Sequence, residues 1–504
     1  MSLIGIDLGT HVCSLSLYSE TSKDIPQVIA DDMGTRAIPS IVAFRGTDIL
    51  IGQAAAAQQS KNPSNTFDNV IELLCYSTET TTMNIPSLDK DITIIELASH
   101  IFHNIHNQVK QQVGSVVSDS VVVVNKELSP LALSNLKESA SMGGLSIKSV
   151  LLNTSASLIS YQLDAAITTA PFTNTTGARV CVVDVGYSQA TASIFDVSTG
   201  GIYSEVCTKQ TEVCTAKTLI NLMVTHCVKD FKRKCKMDLS SDKRAMLRLH
   251  RECEIIMKML SSASEANMTI DALYEGLDYT TKISRAKFED IGGMQFMKLR
   301  NFLLNEIVTP NTTDKPITHV CIVGGLSNVP KIQTMIQALV GETVEYPKLL
   351  DVDSSEVHCL GAAYQGGYLT QQNLLESGFD FDSNTKTINI TTTPVYLTTD
   401  NDNTDWITVF SNMTTDEVPT NATLLLPTGS TMNTIYTFPI ILSDIETSFI
   451  LMTKNTKLCE VVCPVCPEGE SKEALIKINL KESNMIISIM VKGDSISELD
   501  VPLV

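Results

Sequence analysis

Two short stretches indicate the fold: Ile4-Gly5-Ile6-Asp7-Leu8-Gly9 and, later, Val180-Cys181-Val182-Val183-Asp184-Val185-Gly186. Each is an apolar run, which predicts a buried strand, and each ends in Asp-x-Gly, which predicts a tight turn. An alternating strand follows each turn, through Leu15 in the first copy and Ile194 in the second. The repeat predicts a duplicated α/β domain with two lobes around a cleft; the alternative is a chance likeness of two short strands.

The patterns along the chain predict three segments. Residues 1–370 alternate strand and helix patterns, residues 371–386 are mainly polar and predict a linker, and residues 387–504 are rich in Thr, Ile and Val with frequent turn residues. The third segment has the size and strand spacing of an all-β sandwich, with its first strand at Ile388–Ile390. The sequence stops at Val504, so we expect no helical segment after the sandwich.

Charge and apolar content argue against several classes of protein. A net charge of −19 repels nucleic-acid phosphates, so we expect no direct nucleic-acid binding. The basic island at residues 229–236 fits the solvated face of a helix, with a nucleic-acid patch as the alternative. Neither an apolar run of about 18 residues nor a signal peptide is visible, which predicts no membrane contact and a cytoplasmic location.

The cysteines predict no disulfide framework. Thirteen of them, in a chain without a visible export signal, are expected to be reduced. Cys459, Cys463 and Cys466 lie close together, and the last two form a CxxC of the kind that holds half of a zinc site. No second pair of ligands follows, so ordinary loop cysteines are the better interpretation, and we expect no bound metal there.

Further motifs occur in order between Ile4 and Tyr368. They are Gly34–Arg36 with Ile38–Ser40, Asn65–Asp68, Asp271–Tyr279 with Ser284–Glu289, Val323–Gly325 with Val329–Gln333, and Gly361–Ala363. Together with Gly5–Thr10, they resemble the 70-kDa heat-shock chaperone family in sequence and in spacing. Each motif alone is weakly specific, whereas the combination is highly specific. The resemblance implies an actin-like ATPase domain followed by a β domain.

The chain is most similar to the short, atypical members that form the ribosome-associated complex with a zuotin-type J-protein. The β domain lacks a helical lid after it, and the leucine-rich linker of the family is reduced to Leu374-Leu375 at most. The resemblance implies a J-protein as partner, contact with the ribosome through that partner, and a separate active 70-kDa chaperone that performs the ATP-driven cycle.

The resemblance also implies an adenine nucleotide in the cleft. On the phosphate side it assigns Asp7 and Asp184 to water-mediated Mg²⁺ contacts, and Gly9, Thr10 and Gly186 to phosphate turns. Magnesium prefers oxygen ligands and keeps several waters, and glycine lets backbone amides approach a phosphate closely. For the two aspartates, a structural role at strand ends is the alternative.

On the nucleoside side, the resemblance assigns Glu254, Lys258 and Ser261, together with the backbone of Gly324 and Gly325. The three side chains share one helix face, because their spacings are four and three residues. Lys258 stands where the family has a base-stacking arginine, and lysine does not stack like a planar guanidinium. The alternative for this set is a solvated helix face.

The positions of the family's catalytic lysine and glutamate are Val70 and Asn153 in this chain. An aliphatic side chain cannot stabilise phosphate charge, and an amide cannot act as a general base. Tyr187 and Ser188 replace glycines of the second phosphate loop, and the turn at residues 213–216 has lost its glycines. We therefore expect no catalytic residues and a degenerate ATPase that binds nucleotide weakly, constitutively or not at all, and does not hydrolyse it.

Three functions follow as hypotheses. The first, and preferred, is a non-hydrolysing subunit that binds a J-protein and assists co-translational folding. The second is an ATP-dependent peptide-binding chaperone with a working cycle, which the residues at Val70 and Asn153 argue against. The third is a nucleotide-exchange factor for another chaperone, which would need the long acidic insertion and helical extension of the large relatives. The sequence leaves open whether the β domain binds client peptides or only the partner.

Overall fold

The architecture is that of a computed structural model. It describes residues 2–19, 26–31, 34–76, 81–161, 178–197, 203–312, 315–341, 344–347 and 352–375, and eight strands beyond residue 394. The chain divides into two compact units. The first contains Met1–Leu163, Ala178–Ile194 and Cys207–Asp380, and the second contains Asp164–Gly177, Phe195–Val206 and Phe381–Val504. The division after Asp380 falls inside the predicted linker at 371–386.

Seventeen strands are described before residue 324. They are β1 (Ser2–Leu8), β2 (Val12–Ser19), β3 (Gln27–Ile29), β4 (Ile38–Pro39), β5 (Val42–Arg45), β6 (Asp48–Ile51), β7 (Thr66–Phe67), β8 (Thr82–Ile85), β9 (Lys90–Thr93), β10 (Asp119–Val124), β11 (Ser146–Leu152), β12 (Ala178–Val185), β13 (Ala190–Val197), β14 (Tyr203–Thr211), β15 (Glu265–Tyr274), β16 (Leu277–Ser284) and β17 (His319–Val323).

The helices alternate with these strands. They are α1 (Gln53–Ala56), α2 (Val70–Tyr76), α3 (Ile94–Val113), α4 (Pro130–Met142), α5 (Asn153–Tyr161), α6 (Ala216–Cys235), α7 (Lys243–Ser262), α8 (Arg285–Ile291), α9 (Gly293–Phe302), α10 (Thr309–Asn311), α11 (Pro330–Val340) and α12 (Val357–Leu375). A 3₁₀ turn covers Pro63–Asn65, and a π-helical turn joins α9 to α10 at Leu303–Val308.

The two central sheets share an arrangement of four strands, as the repeated sequence predicts, with β3-β2-β1-β10 in the first corresponding to β14-β13-β12-β17 in the second. The first runs β11-β10-β1-β2-β3, and the second runs β14-β13-β12-β17. In the first, β1 pairs antiparallel with β2 and parallel with β10. In the second, β12 is buried along its whole length and pairs parallel with β17, with Asp184 opposite Val323. Corresponding strands therefore carry Asp7 and Asp184 at their carboxyl ends.

Each sheet has its own hydrophobic core, and we call the two bodies the first and second lobes. The first core includes Ile4, Val122 and the inner face of α3, whose apolar residues recur at helical spacing. The second includes Val183, Ile220 and Leu249, from β12, α6 and α7. Helix α3 begins with a complete capping box in which Thr93 and Glu96 satisfy each other's backbone amides.

Helix α12 lies unusually close to β1. A Cβ atom on Gly5 would come within 2.3 Å of the carbonyl oxygen of Cys359, so only glycine permits this approach. The Ser16 hydroxyl donates to the same oxygen at 2.6 Å. The close packing brings the amino-terminal turn of α12 beside the end of β1, where Asp7 lies.

The C-terminal strands form two four-stranded sheets. They are β18 (Val395–Thr399), β19 (Ala422–Leu426), β20 (Ile435–Leu442), β21 (Ser448–Met452), β22 (Lys457–Val462), β23 (Lys472–Leu480), β24 (Asn484–Val491) and β25 (Asp494–Pro502). One sheet has the order β19-β18-β21-β22 and the other has β20-β23-β24-β25, and the pairings are antiparallel. The described residues beyond position 394 thus all lie in β-strands.

Some predictions differ from the structure or fall outside it. Helix α12 continues to Leu375, through the first five residues of the predicted linker 371–386. The rest of that linker, Ile388–Ile390, Cys463 and Cys466 lie outside the described residues, while Cys459 lies on β22. Within the described ranges, no group of three or more His, Cys, Asp or Glu side chains is arranged to hold a metal ion. None of the described helices is long and apolar enough to cross a bilayer.

Candidate functional site

One cavity of about 410 Å³ in the first unit brings the predicted site residues together. All ten of them line it: Asp7, Gly9, Thr10, Asp184, Gly186, Glu254, Lys258, Ser261, Gly324 and Gly325. His11, Tyr187 and His358, which the resemblance did not assign, line the same cavity. We call the end near the two aspartates the phosphate end and the end near Lys258 the nucleoside end.

In the turns after β1 and β12, each glycine lies close to the carbonyl oxygen of the residue three positions later. A Cβ on Gly9 would lie 2.3 Å from the carbonyl oxygen of Val12, so this turn requires glycine. In the second turn, the Gly186 amide donates to the carbonyl oxygen of Gln189 at 2.9 Å. The Thr10 and Ser188 hydroxyls are 2.8 Å apart and join the two turns. The loops that the resemblance assigns to phosphates thus contact each other directly.

A histidine side chain lies between the two aspartates. His358 Nδ1 is 3.2 Å from Asp7 Oδ2, and His358 Nε2 is 3.6 Å from Asp184 Oδ2. All three side chains are largely shielded from solvent. Burial alone would lower the pKa of His358, but the charges of Asp184 and Asp7 outweigh it and raise the pKa to about 9. At neutral pH the ring is therefore an imidazolium.

Asp184 is fixed by further contacts. Burial raises the pKa of Asp184, with the charge of His358 opposing that shift. Asn153 Nδ2 donates to Asp184 Oδ2 at 2.5 Å, and the Thr154 amide donates to Asn153 Oδ1 at 2.9 Å. On the other side, Gly324 has φ of +87°, and a Cβ there would lie 2.0 Å from Asp184 Oδ1. Asn153, at the position of the family's glutamate, is thus buried and acts as a tether for Asp184.

Magnesium does not fit these residues. A hydrated Mg²⁺ needs free carboxylate oxygens and room for its waters. Here the His358 ring faces an oxygen of each aspartate, and Asp184 Oδ2 also accepts from Asn153. Asp184 Oδ1 has no hydrogen-bond partner, but the backbone of Gly324 lies against it and leaves no room there for a hydrated ion. A protonated ring offers a metal no lone pair. The predicted water-mediated Mg²⁺ contacts of Asp7 and Asp184 therefore disagree with the geometry.

Two stacked rings line the cavity between its two ends. The rings of His11 and Tyr187 stack with centroids 3.9 Å apart and an interplanar angle of 5°. The start of α6 is also occupied, since the amides of Ala216 and Lys217 donate to the carbonyl oxygens of Gly186 and Tyr187 at 3.1 and 2.9 Å. The helix amides that could bind an anion are therefore used within the protein.

The turn before α6 contains no glycine. Cys214 is buried and has φ of +56°, a conformation that non-glycine residues adopt at some cost in free energy. Thr215 then caps α6 by accepting from the Thr218 amide. Residues 213–216 thus form the turn before α6 with a non-glycine residue at positive φ and a threonine cap.

Val70, at the position of the family's lysine, does not face the cavity. It is the first residue of α2, and both Val70 and Ile71 are fully buried in the core of the first lobe. The position therefore supplies packing, and no charge, to this part of the molecule.

The nucleoside end is polar and more open. Glu254 Oε1 lies 3.1 Å from His11 Nε2 and 2.7 Å from Lys258 Nζ. Burial would raise the pKa of Glu254, but His11 and Lys258 outweigh it and lower the pKa to about 2. A Cβ on Gly325 would meet no atom within 4 Å. Ser261, Met257 and Asn328 complete this wall of the cavity.

Sequence reasoning missed the two histidines. His358 lies just before Gly361-Ala362-Ala363, and its titratable side chain in that motif was the signal that could have marked it as a site residue. His11 directly follows the predicted phosphate turn of Gly9 and Thr10. Their roles depend on partners 243 and 351 residues away in sequence, so spacing alone could not identify them.

The comparisons with known proteins agree with this architecture. The family model described as Hsp70 protein matches residues 3–417. Heat shock 70 kDa protein 14 of Danio rerio is 26% identical over 402 residues, which cover 75% of this chain and 77% of that protein. A ribosome-associated molecular chaperone of Zygosaccharomyces rouxii is 27% identical over 399 residues, or 75% of this chain and 63% of that protein.

A third relative, heat shock 70 kDa protein 2 of Paracoccidioides lutzii, is 28% identical over 391 residues, which cover 73% of this chain and 57% of that protein. The match thus spans somewhat more than half of two of these three relatives and about three quarters of the other. Because the Hsp70 match covers residues 3–417 of a 504-residue chain, the protein belongs to the Hsp70 family.

Proposed function

We propose that the protein is a chaperone-like subunit that does not hydrolyse ATP, binds a J-protein and assists co-translational folding. The observation that carries the proposal is the phosphate end of the cavity. The positions that the resemblance assigns to the family's lysine and glutamate bring no charged group to that end, because Val70 is buried in the core and Asn153 is an amide that tethers Asp184. Losing one charged group that stabilises a transition state typically costs two to three decades of rate. Two losses leave turnover negligible, even if they are not additive.

Weak binding of an adenine nucleotide is compatible with the same cavity. Its nucleoside end keeps Glu254, Lys258 and Ser261 on one face of α7, and the backbone at Gly325 is open. Ground-state binding requires fewer charged contacts than turnover does. The nucleotide would then be a structural ligand that holds the two lobes together.

The proposed partners follow from the family and from charge. One relative is named a ribosome-associated chaperone. A chain with a net charge of −19 would reach the ribosome through a basic partner rather than directly. We therefore propose a zuotin-type J-protein as that partner, a separate active 70-kDa chaperone as the enzyme of the cycle, and the cytoplasm as the location.

The first experiment is isothermal titration of ATP and ADP into the purified protein, paired with a single-turnover hydrolysis assay. Binding without turnover supports the proposal, and so does the absence of both when the protein captures a J-protein. Turnover at the rate of an active Hsp70, measured alongside as a control, would reject it and favour the ATP-dependent chaperone. Capture of a nucleotide-free chaperone in place of a J-protein would favour a nucleotide-exchange factor.

A further inference from the structure

The contacts of His358 define a buried pair of carboxylates with an internal cation. Its two ring nitrogens face Asp7 Oδ2 at 3.2 Å and Asp184 Oδ2 at 3.6 Å. Nδ1 lies within hydrogen-bonding distance of Asp7, whereas Nε2 has no hydrogen-bond partner and faces Asp184 as a contact between charges. An ionised carboxylate can only accept hydrogen bonds, so a ring with a proton on each nitrogen presents a positively charged N–H to both aspartates. The ring cannot easily move away, because α12 is locked against β1 by the contact between Gly5 and Cys359.

Other cations nearby are already paired. Arg36 Nη1 contacts both carboxylate oxygens of Glu356 at 3.3 Å, and Lys258 is paired with Glu254 at 2.7 Å. Asn153 contacts Asp184 with a neutral amide. Two buried carboxylates close to each other require a counter-charge, because desolvated like charges are strongly unfavourable. His358 is the side chain that supplies it.

We propose that His358 replaces the divalent cation of this cleft, so that the protein is stable and binds an adenine nucleotide without Mg²⁺. The nucleotide part rests on the proposed function, whereas the metal part does not. Removing the imidazole alone should leave two buried carboxylates without a cation and create a site that a divalent ion can fill. If His358 takes the place of a divalent cation, the single substitution that removes its ring should make the protein bind metal.

The test compares the wild-type protein with His358→Ala and with the double variant His358→Ala/Asp7→Asn. Melting temperatures are measured in EDTA and in a few millimolar Mg²⁺ or Mn²⁺, and bound Mn²⁺ is counted from the loss of its free electron-spin-resonance signal. We expect no metal-dependent shift in the wild type. In His358→Ala we expect a fall in EDTA and recovery by several degrees with metal. The double variant should lose that recovery.

The wild-type protein alone keeps the proposal testable if His358→Ala does not fold. One Mn²⁺ bound to the wild type and lost in Asp7→Asn would overturn it. An equal melting temperature of His358→Ala in EDTA and in metal would also overturn it. So would a His358→Ala protein that is as stable in EDTA as the wild type.

The second measurement in this test is the binding of a fluorescent ADP analogue. In the wild type, affinity in Mg²⁺ and in EDTA should agree within about twofold, whereas His358→Ala should bind about tenfold more tightly with Mg²⁺. A tenfold dependence on Mg²⁺ in the wild type would contradict the proposal. Hydrolysis of ATP would reject the proposed function alone, since the metal response is read from stability and binding.

Discussion

The two ends of the cavity retain different amounts of the family's site. At the nucleoside end, Glu254, Lys258 and Ser261 share one face of α7, and Gly325 leaves space beside them. At the phosphate end, the His358 ring lies between the two aspartates that the resemblance assigns to Mg²⁺ contacts. The difference fits the proposal that this chain does not carry out phosphate chemistry, since the crowded end is the one that the resemblance assigns to the phosphates.

The largest expected effect comes from restoring the family's lysine. Val70→Lys would bury an ammonium group in the core of the first lobe, because Val70 is fully buried. We expect the free energy of unfolding to fall by more than about 3 kcal/mol, with no gain of hydrolysis. Urea unfolding measures the loss, and Val70→Ala is the control, since it removes packing without adding charge. A Val70→Lys protein that is stable and hydrolyses ATP would show that the phosphate end can still support catalysis, and would contradict the difference between the two ends.

Gly324 lies at a crowded backbone position, whereas its neighbour Gly325 lies at an open one. At Gly324, φ is +87° and a Cβ would lie 2.0 Å from Asp184 Oδ1, whereas at Gly325 a Cβ would meet nothing within 4 Å. We expect Gly324→Ala to cost about 2–4 kcal/mol of unfolding free energy, and Gly325→Ala to cost less than about 0.5 kcal/mol. Equal melting temperatures for the two variants would show that the backbone can relax around Asp184.

Part of the fold could be predicted from local signals in the sequence. The repeated Asp-x-Gly strands predicted the duplicated sheets, because apolar runs and tight turns are local signals. By contrast, the strands Val395–Thr399, Lys457–Val462 and Asp494–Pro502 were not predicted, since short strands with mixed polarity have weak alternation.

The site was predictable where the family motif fixes it and unpredictable where distant side chains meet. All ten residues expected from the resemblance line one cavity. The ion pair of His358 with Asp7 and the stack of His11 on Tyr187 depend on how α12 and the two lobes pack, and no periodicity in the chain encodes that. The predicted Mg²⁺ contacts disagree with the geometry for the same reason, because His358 could not be placed between the aspartates from sequence.

A smaller effect is expected from Glu254, which connects the two ends through His11 and Lys258. Glu254→Gln should lower the free energy of unfolding by about 1–2 kcal/mol at pH 7. The pKa of Glu254 lies below its ordinary value, at about 2, so its contribution is complete above pH 4.5 and is lost as the pH falls towards 2. The difference between wild type and variant should therefore shrink over that range.

Glu138→Gln is the matched control for this measurement, because Glu138 lies exposed on α4. Its free energy of unfolding should stay within about 0.5 kcal/mol of the wild type at every pH. Should Glu254→Gln show a difference that does not change between pH 7 and pH 3, the ionised form of Glu254 would not be the stabilising group.

The smallest effect tests whether the nucleoside end still functions as a binding wall. Lys258 is 68% exposed and stands where the family has an arginine that stacks on the base. Lys258→Arg places a planar guanidinium on the same face of α7, and stacking by a guanidinium is typically worth about 0.5–1 kcal/mol at exposed sites. We expect ADP to bind about two- to fivefold more tightly to this variant by calorimetry.

Lys229→Arg provides the control for charge, since Lys229 is exposed on α6 and does not line the cavity. It should leave ADP affinity unchanged. If Lys258→Arg also leaves it unchanged, then the face formed by Glu254, Lys258 and Ser261 is a solvated surface, and both ends of the cavity have lost their nucleotide contacts. A gain confined to Lys258→Arg would instead locate the nucleoside beside α7, with its phosphates directed towards an end that has no group left to activate them.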